Sequence, residues 1–261
     1  VPERNALVKA FQDKPVKFLA VMAHSSVVDA TGYQAKNGLT MPIFADNLNL
    51  MQKRYGFEIS LKNIWQYRVV DATGKVAEYN MTEEAINKVV GMSNPKWKYR
   101  SENDDAKVLP TLDLLEMAQY SSAAKQLAPL RKSTKKPIAE AANRVIDSLK
   151  TEAEEWKAEA EKAAEEEPVK AYDLYTRIST VLAGDALAKD AAEAKKKLAT
   201  NKVIVAELAA RKAFDPIMTT LVRTPPEQKK LLAQQIQTFL KKHKDTPTGE
   251  KAEALLKELD K

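Results

Sequence analysis

Cysteine is absent from this 261-residue chain. Without a thiolate there is no disulfide, no thiolate metal ligand and no thiol nucleophile, so as written the chain is not a dithiol oxidoreductase. The two histidines, His24 and His243, are distant in sequence, and a metal site needs several convergent ligands. Glycine numbers only 7, and Gly32, Gly38, Gly56, Gly74 and Gly91 stand singly, which leaves no Gly-rich phosphate loop. No apolar run approaches the roughly 18 residues that mark a membrane-spanning helix. The chain opens Val1-Pro2-Glu3 without a secretory signal, and its compartment stays open. No cofactor is expected.

What is present suits a folded chain of one large domain or two ordinary ones. Hydrophobic residues make up 44%, enough for a core, and charged residues 30%. The formal net charge is +6, from Lys+Arg 42 against Asp+Glu 36. Lysines alternate with glutamates, as in KTEAEEWKAEAEKAAEEE (150–167), which describes solvated helix faces rather than a nucleic-acid surface. The apolar residues of that stretch are mostly alanine, a thin stripe that favours an exposed helix over a dimer seam.

The first hundred residues alternate short apolar runs with amphipathic segments. VKFLAVMA (16–23) and LTMPIFAD (39–46) read as strands, and NLNLMQKRYG (47–56) as a helix with Asn47 as N-cap and Gly56 as its stop. WQYRVVDATGKVAEYN (65–80) reads as strand, turn at Asp71–Gly74, and strand. Thr82 caps a helix through Val90. This alternation predicts an α/β sandwich. A polar linker, SNPKWKYRSENDD (93–105), leads to nearly continuous helix: 111–130, 137–167, 168–185, 188–200, 202–222, 226–243 and 248–261. Pro137, Pro168, Pro226 and Pro247 sit near helix starts. Residues 171–198 and 230–259 repeat one pattern: a helix ending in an apolar pair (Val181-Leu182; Phe239-Leu240), a polar turn, then a helix around Ala-Glu-Ala. The repeat fits either a stacked array or a compact domain of similar hairpins.

Several landmarks of residues 1–90 together resemble the thioredoxin-like family, in its peroxiredoxin-like and TlpA-like branch: VPERNALVKAF, VKFLAVMA, YQAKNGLTMPIFAD, KRYGF and RVVDATGKV. The resemblance implies a thioredoxin-like α/β sandwich over 1–100. It places Pro2 at the helix-kinking proline that follows a Cys-x-x-Cys, which would then lie upstream of Val1. It also puts Trp65 where the family carries a cis-proline. The second half resembles helical regions attached to such domains in bacterial envelope proteins of planctomycete type, and LEMAQYSSAAKQL (115–127) is similar to a tetratricopeptide helix. That implies a TPR-like helical-hairpin domain over 106–261 and a periplasmic or envelope location.

Candidate chemistry is sparse. His24, Ser25, Ser26 and Asp29 offer the residue types of nucleophilic catalysis, but triad members come from separate segments, and a loop histidine is the plainer reading. His243 ends a lysine-rich helix, where a cation complements the dipole. Asp29, Asp46 and Asp71 read as an acidic cluster or as separate capping and turn residues. Trp65, Tyr67, Trp97 and Tyr99, flanked by Lys62, Arg68, Lys96, Lys98 and Arg100, read as an interaction surface or as interdomain packing. The expectation is a non-catalytic interaction or scaffold protein that binds a protein partner or itself, with no nucleic acid and no integral membrane segment. The alternative is an extracytoplasmic thiol–disulfide oxidoreductase whose Cys-x-x-Cys lies upstream.

Overall fold

The computed structural model describes residues 1–23, 25–46, 50–57, 63–223 and 229–259. Helix accounts for 66% of the chain and strand for 6%. Two compact units emerge: residues 1–96 together with 211–261, and residues 97–210.

The first unit opens with α1 (Pro2–Ala10), β1 (Ala20–Ala23), α2 (Val27–Asn37), β2 (Ile43–Asp46) and α3 (Leu50–Tyr55). β3 (Val69–Val70), β4 (Val76–Glu78) and α4 (Glu83–Ser93) follow. Local chemistry explains most element ends. Ser26 and Asp29 form a capping box at α2, and Gly38 ends that helix at φ 61°. Asp46 accepts from the N–H groups of Leu50 (2.7 Å) and Gln52 (3.0 Å), so it performs the capping expected of Asn47, which lies outside the described residues. In the 71–74 turn the Asp71 carboxylate accepts from Thr73 N–H (2.8 Å) and Lys75 N–H (3.0 Å), while Gly74 takes φ 85°. Thr82 caps α4 through Ala85 N–H at 3.1 Å.

The expected sandwich does not form. Among the described residues β1 pairs in parallel with β2 alone, from Ala20↔Ile43 to Ala23↔Asp46, and β3 pairs antiparallel with β4 in a separate two-stranded sheet. A thioredoxin-like sandwich requires these segments to share one sheet. Their strands are too short for that, because residues 16–19 and 39–42 stay outside the ladder and the β3–β4 hairpin carries only two register pairs. The chain is mostly α.

The second unit holds α5 (Leu109–Glu116), α6 (Tyr120–Arg131), α7 (Lys136–Ala163), α8 (Pro168–Val181) and α9 (Ala186–Leu198). One helix expected over 111–130 is two, broken where Ala118 turns to φ 54°. α7 is the centre of this unit, in contact with α6, α8 and α9. Its alanine stripe is not solvated as expected: Ala142, Val145, Leu149, Ala153, Trp156 and Ala160 are all in the core. Small side chains let a neighbouring helix approach closely, and α8 packs along this stripe.

α10 (Lys202–Arg223) runs through residues 210 and 211, where the two units are divided. α11 (Lys229–His243) and α12 (Pro247–Leu259) form a hairpin in the first unit; Pro226 lies outside the described residues. The repeated segments are therefore both helical hairpins, α8–α9 and α11–α12, one in each unit. Their turns differ. Between α8 and α9, Gly184 takes φ 93° and Asp185 caps the next helix. Between α11 and α12, Thr246 Oγ1 accepts from Gly249 N–H at 2.9 Å. A Cβ on Gly249 would stand 2.0 Å from the His243 carbonyl oxygen, so only glycine fits there.

Candidate functional site

The aromatic candidates fall in different units. Trp65 and Tyr67 belong to the first, around Arg4. The Arg4 guanidinium stacks 3.9 Å from the Trp65 ring centre and donates to Tyr67 Oη at 3.0 Å. Trp65 is 57% exposed. A shallow groove of about 310 Å³ lies beside this stack, lined by Glu3, Arg4, Leu7, Tyr67 and Met81 among others. Arg68 is sandwiched by Phe57 (4.5 Å) and Tyr79 (4.6 Å) and donates to Tyr55 O at 2.9 Å, tying the end of α3 to the hairpin. Lys62 lies outside the described residues.

Trp97 and Tyr99 belong to the second unit. Arg100 stacks 4.5 Å from the half-buried Trp97 ring. Tyr99 is only 1% exposed and is held at both ends. Its N–H donates to Glu116 Oε1 at 2.7 Å, and its hydroxyl donates to Glu152 Oε2 at 3.0 Å. Lys98 Nζ reaches the same oxygen at 2.6 Å. Arg144 fastens the segment further, donating to Tyr99 O at 2.9 Å and to both Asp104 oxygens at 2.7 and 2.8 Å. Burial pushes the Tyr99 hydroxyl well above its ordinary pKa, with the Glu152 carboxylate adding to the rise. Around Tyr99 and Glu152 this is a structural knot whose groups bond to one another.

The acidic residues resolve into separate local duties. Asp29 serves the α2 capping box, Asp46 caps α3, and Asp71 organises its turn. The Thr73 hydroxyl and then the Lys75 N–H hold the Asp71 carboxyl below its ordinary pKa. Ser26 bonds to Asp29, and the Ser25 hydroxyl bonds to Ala23 O, while His24 lies outside the described residues. His243 stacks on Phe239 at 4.9 Å. Among the described residues no group of three acidic, histidine or cysteine side chains is placed to hold a metal ion, and no helix is long and apolar enough to cross a membrane.

The feature that sequence reading missed is apolar exposure in residues 1–96. Val28 (66%), Tyr79 (65%) and Met92 (65%) stand open to solvent, as do Phe44, Leu50 and Ile64. Register places Val21 and Phe44 side by side on one face of the parallel ladder, with Phe44 exposed. Parallel sheets ordinarily have both faces covered. Periodicity marks such residues as core, and only the missing layer reveals them as surface. No protein-family model, curated protein or solved structure matches this chain.

Proposed function

We propose that this protein is a non-catalytic protein-interaction module whose binding surface lies in residues 1–96. The observation that carries this reading is the set of large apolar side chains left to solvent there. Large apolar side chains concentrated at one part of a protein surface are where contact with another macromolecule is expected. The Tyr99 knot supports the same reading, because its titratable groups are spent on one another and leave no free acid or base.

Charge narrows the partner. In the unit formed by 1–96 and 211–261, Lys+Arg number 23 against Asp+Glu 16; in 97–210 they number 19 against 20. A basic surface repels its own copy and attracts an acidic partner, so the reading favours a hetero-partner over self-association. The test uses the full chain and a Val28→Ser/Tyr79→Ser variant, cross-linked in native extract and compared quantitatively. An acidic protein captured by the wild type, at least tenfold depleted with the variant and displaced by salt, supports the proposal. Identical capture by both forms, or a strictly monomeric protein without partners at native concentration, overturns it.

A further inference from the structure

Arg177 is an unspent cation in the second unit. It belongs to the α8 face that also carries Asp173, Thr176 and Thr180, while Leu174, Tyr175, Ile178 and Val181 point into the core. Its guanidinium lies 5.1 Å from the Tyr120 ring centre and 5.0 Å from that of Trp156, rings that meet edge to face at 5.2 Å. Stacking therefore fixes the side chain without using its N–H groups. Among the described residues Arg177 makes no hydrogen bond and no ion pair, although the residue is more than half buried. Glu159, which feels its charge, is paired to Lys170 at 2.9 Å instead. A guanidinium carries five donors, and those of Arg177 reach solvent rather than a protein acceptor among the described residues, which leaves them available to a ligand.

The donors open onto a groove of about 430 Å³ between α8 and the start of α6, with Tyr120, Ser121, Ser122, Asp173 and Thr176 along its walls. The hydroxyls of Ser121 and Ser122 have no hydrogen-bond partner among the described residues. α6 has no side-chain cap, and the N–H groups of Tyr120 and Ser121 have no acceptor there either. Asp173 contributes the one carboxylate on the walls, and it has a further interaction of its own. The site thus gathers one stacked cation, two free hydroxyls and two backbone N–H groups on walls of mixed polar and apolar character. That suits a small oxyanion with several acceptor oxygens and more than one negative charge, enough to outweigh Asp173.

We propose that this groove binds a phosphate monoester, with Arg177 as the anchoring cation and the hydroxyls of Ser121 and Ser122 as further donors. This goes beyond the interaction surface of residues 1–96 and stands or falls separately from it. The test is an amide NMR titration of the full chain in phosphate-free buffer at constant ionic strength. The probes are inorganic phosphate, O-phosphoserine and a phosphoserine peptide, with chloride and the unphosphorylated peptide as controls. Saturable shifts at Tyr120, Ser121 and the Trp156 indole are expected, weakened roughly tenfold or more by Arg177→Gln. Tighter binding of the phosphopeptide than of inorganic phosphate assigns the group to a protein; equal binding assigns it to a free monoester. Should Arg177→Gln lose its native near-ultraviolet signal, Ser121→Ala and Ser122→Ala decide, since both hydroxyls are outside the core. No saturation by about 20 mM, an equal response to chloride, or unchanged affinity in the folded variants overturns the proposal.

Discussion

Residues 97–210 and residues 1–96 differ in how they dispose of apolar surface. In the former, α7 supplies a stripe that α6, α8 and α9 cover, and the core runs without interruption from Tyr99 to Ala191. In the latter, the strands are two to four residues long and end before they can form a shared layer. The contrast teaches that helical hairpins complete themselves with local partners, whereas a sheet needs strands brought from a distance. Where those strands do not pair, Val28, Phe44 and Tyr79 stay in water.

The sharpest way to break the contrast is to open the well-packed side of it. Trp156→Ala removes the ring that Tyr120 and Arg177 stack on and leaves a cavity beside α7; it should cost about 4 kcal/mol in denaturant unfolding. An effect under about 1 kcal/mol would mean that the 97–210 core does not rest on this helix. Next comes Gly249→Ala, for which about 3 kcal/mol is expected, because the added carbon meets backbone rather than a yielding side chain. Hydrogen exchange should accelerate through 229–259. Gly184→Ala, at the equivalent turn of the repeated hairpin, meets open space and should cost only about 1 kcal/mol for its positive φ. Equal losses at the two glycines would show that the hairpins are closed by the same physics.

pH probes the Tyr99 knot. The folded-state pKa of Tyr99 is raised, so the neutral hydroxyl is favoured in the native protein. Its stabilisation is complete below the unfolded value near 10 and is lost as pH rises toward the folded value. Unfolding free energy should fall by about 1.4 kcal/mol per pH unit above pH 10, and the Tyr99→Phe variant should lack that component. Parallel curves for the two proteins would remove the knot from the account. The smallest effect belongs to the open side: Tyr79→Ser gives up the ring's contact with Arg68 and should cost no more than about 1 kcal/mol. A larger loss would show that Tyr79 is packed and that the apolar surface of 1–96 is less than it looks.

Local chemistry was legible in the sequence and pairing was not. The Asp71–Gly74 turn, the Thr82 cap and the Gly56 stop follow from residue types a few positions apart, and they stand where the pattern puts them. Most helices after residue 136 follow their periodicity to within a few residues. The sheet did not follow, since whether 16–23 meets 67–79 depends on chain between and around them that carries no signal in either strand. Thinness misled at α7, where alanine reads as weak but lies in the core. The break at Ala118 was silent because Met117-Ala118-Gln119 contains neither glycine nor proline. As for the candidate surface, Trp65 and Tyr67 were readable as aromatics beside cations. Arg177 was not, because the rings that hold it come from helices elsewhere in the chain.

One consequence concerns the order of synthesis. Residues 1–96 share a unit with 211–261, and Lys53 even pairs with Glu258 at 2.5 Å. The intervening segment 97–210 is contiguous and can finish folding as soon as it is made. At roughly 5–20 residues per second, Lys53 is made on the order of ten seconds or more before Glu258. That ion pair can form only after 97–210 has been made, so the contact that joins the two segments of the first unit waits on the synthesis of the second.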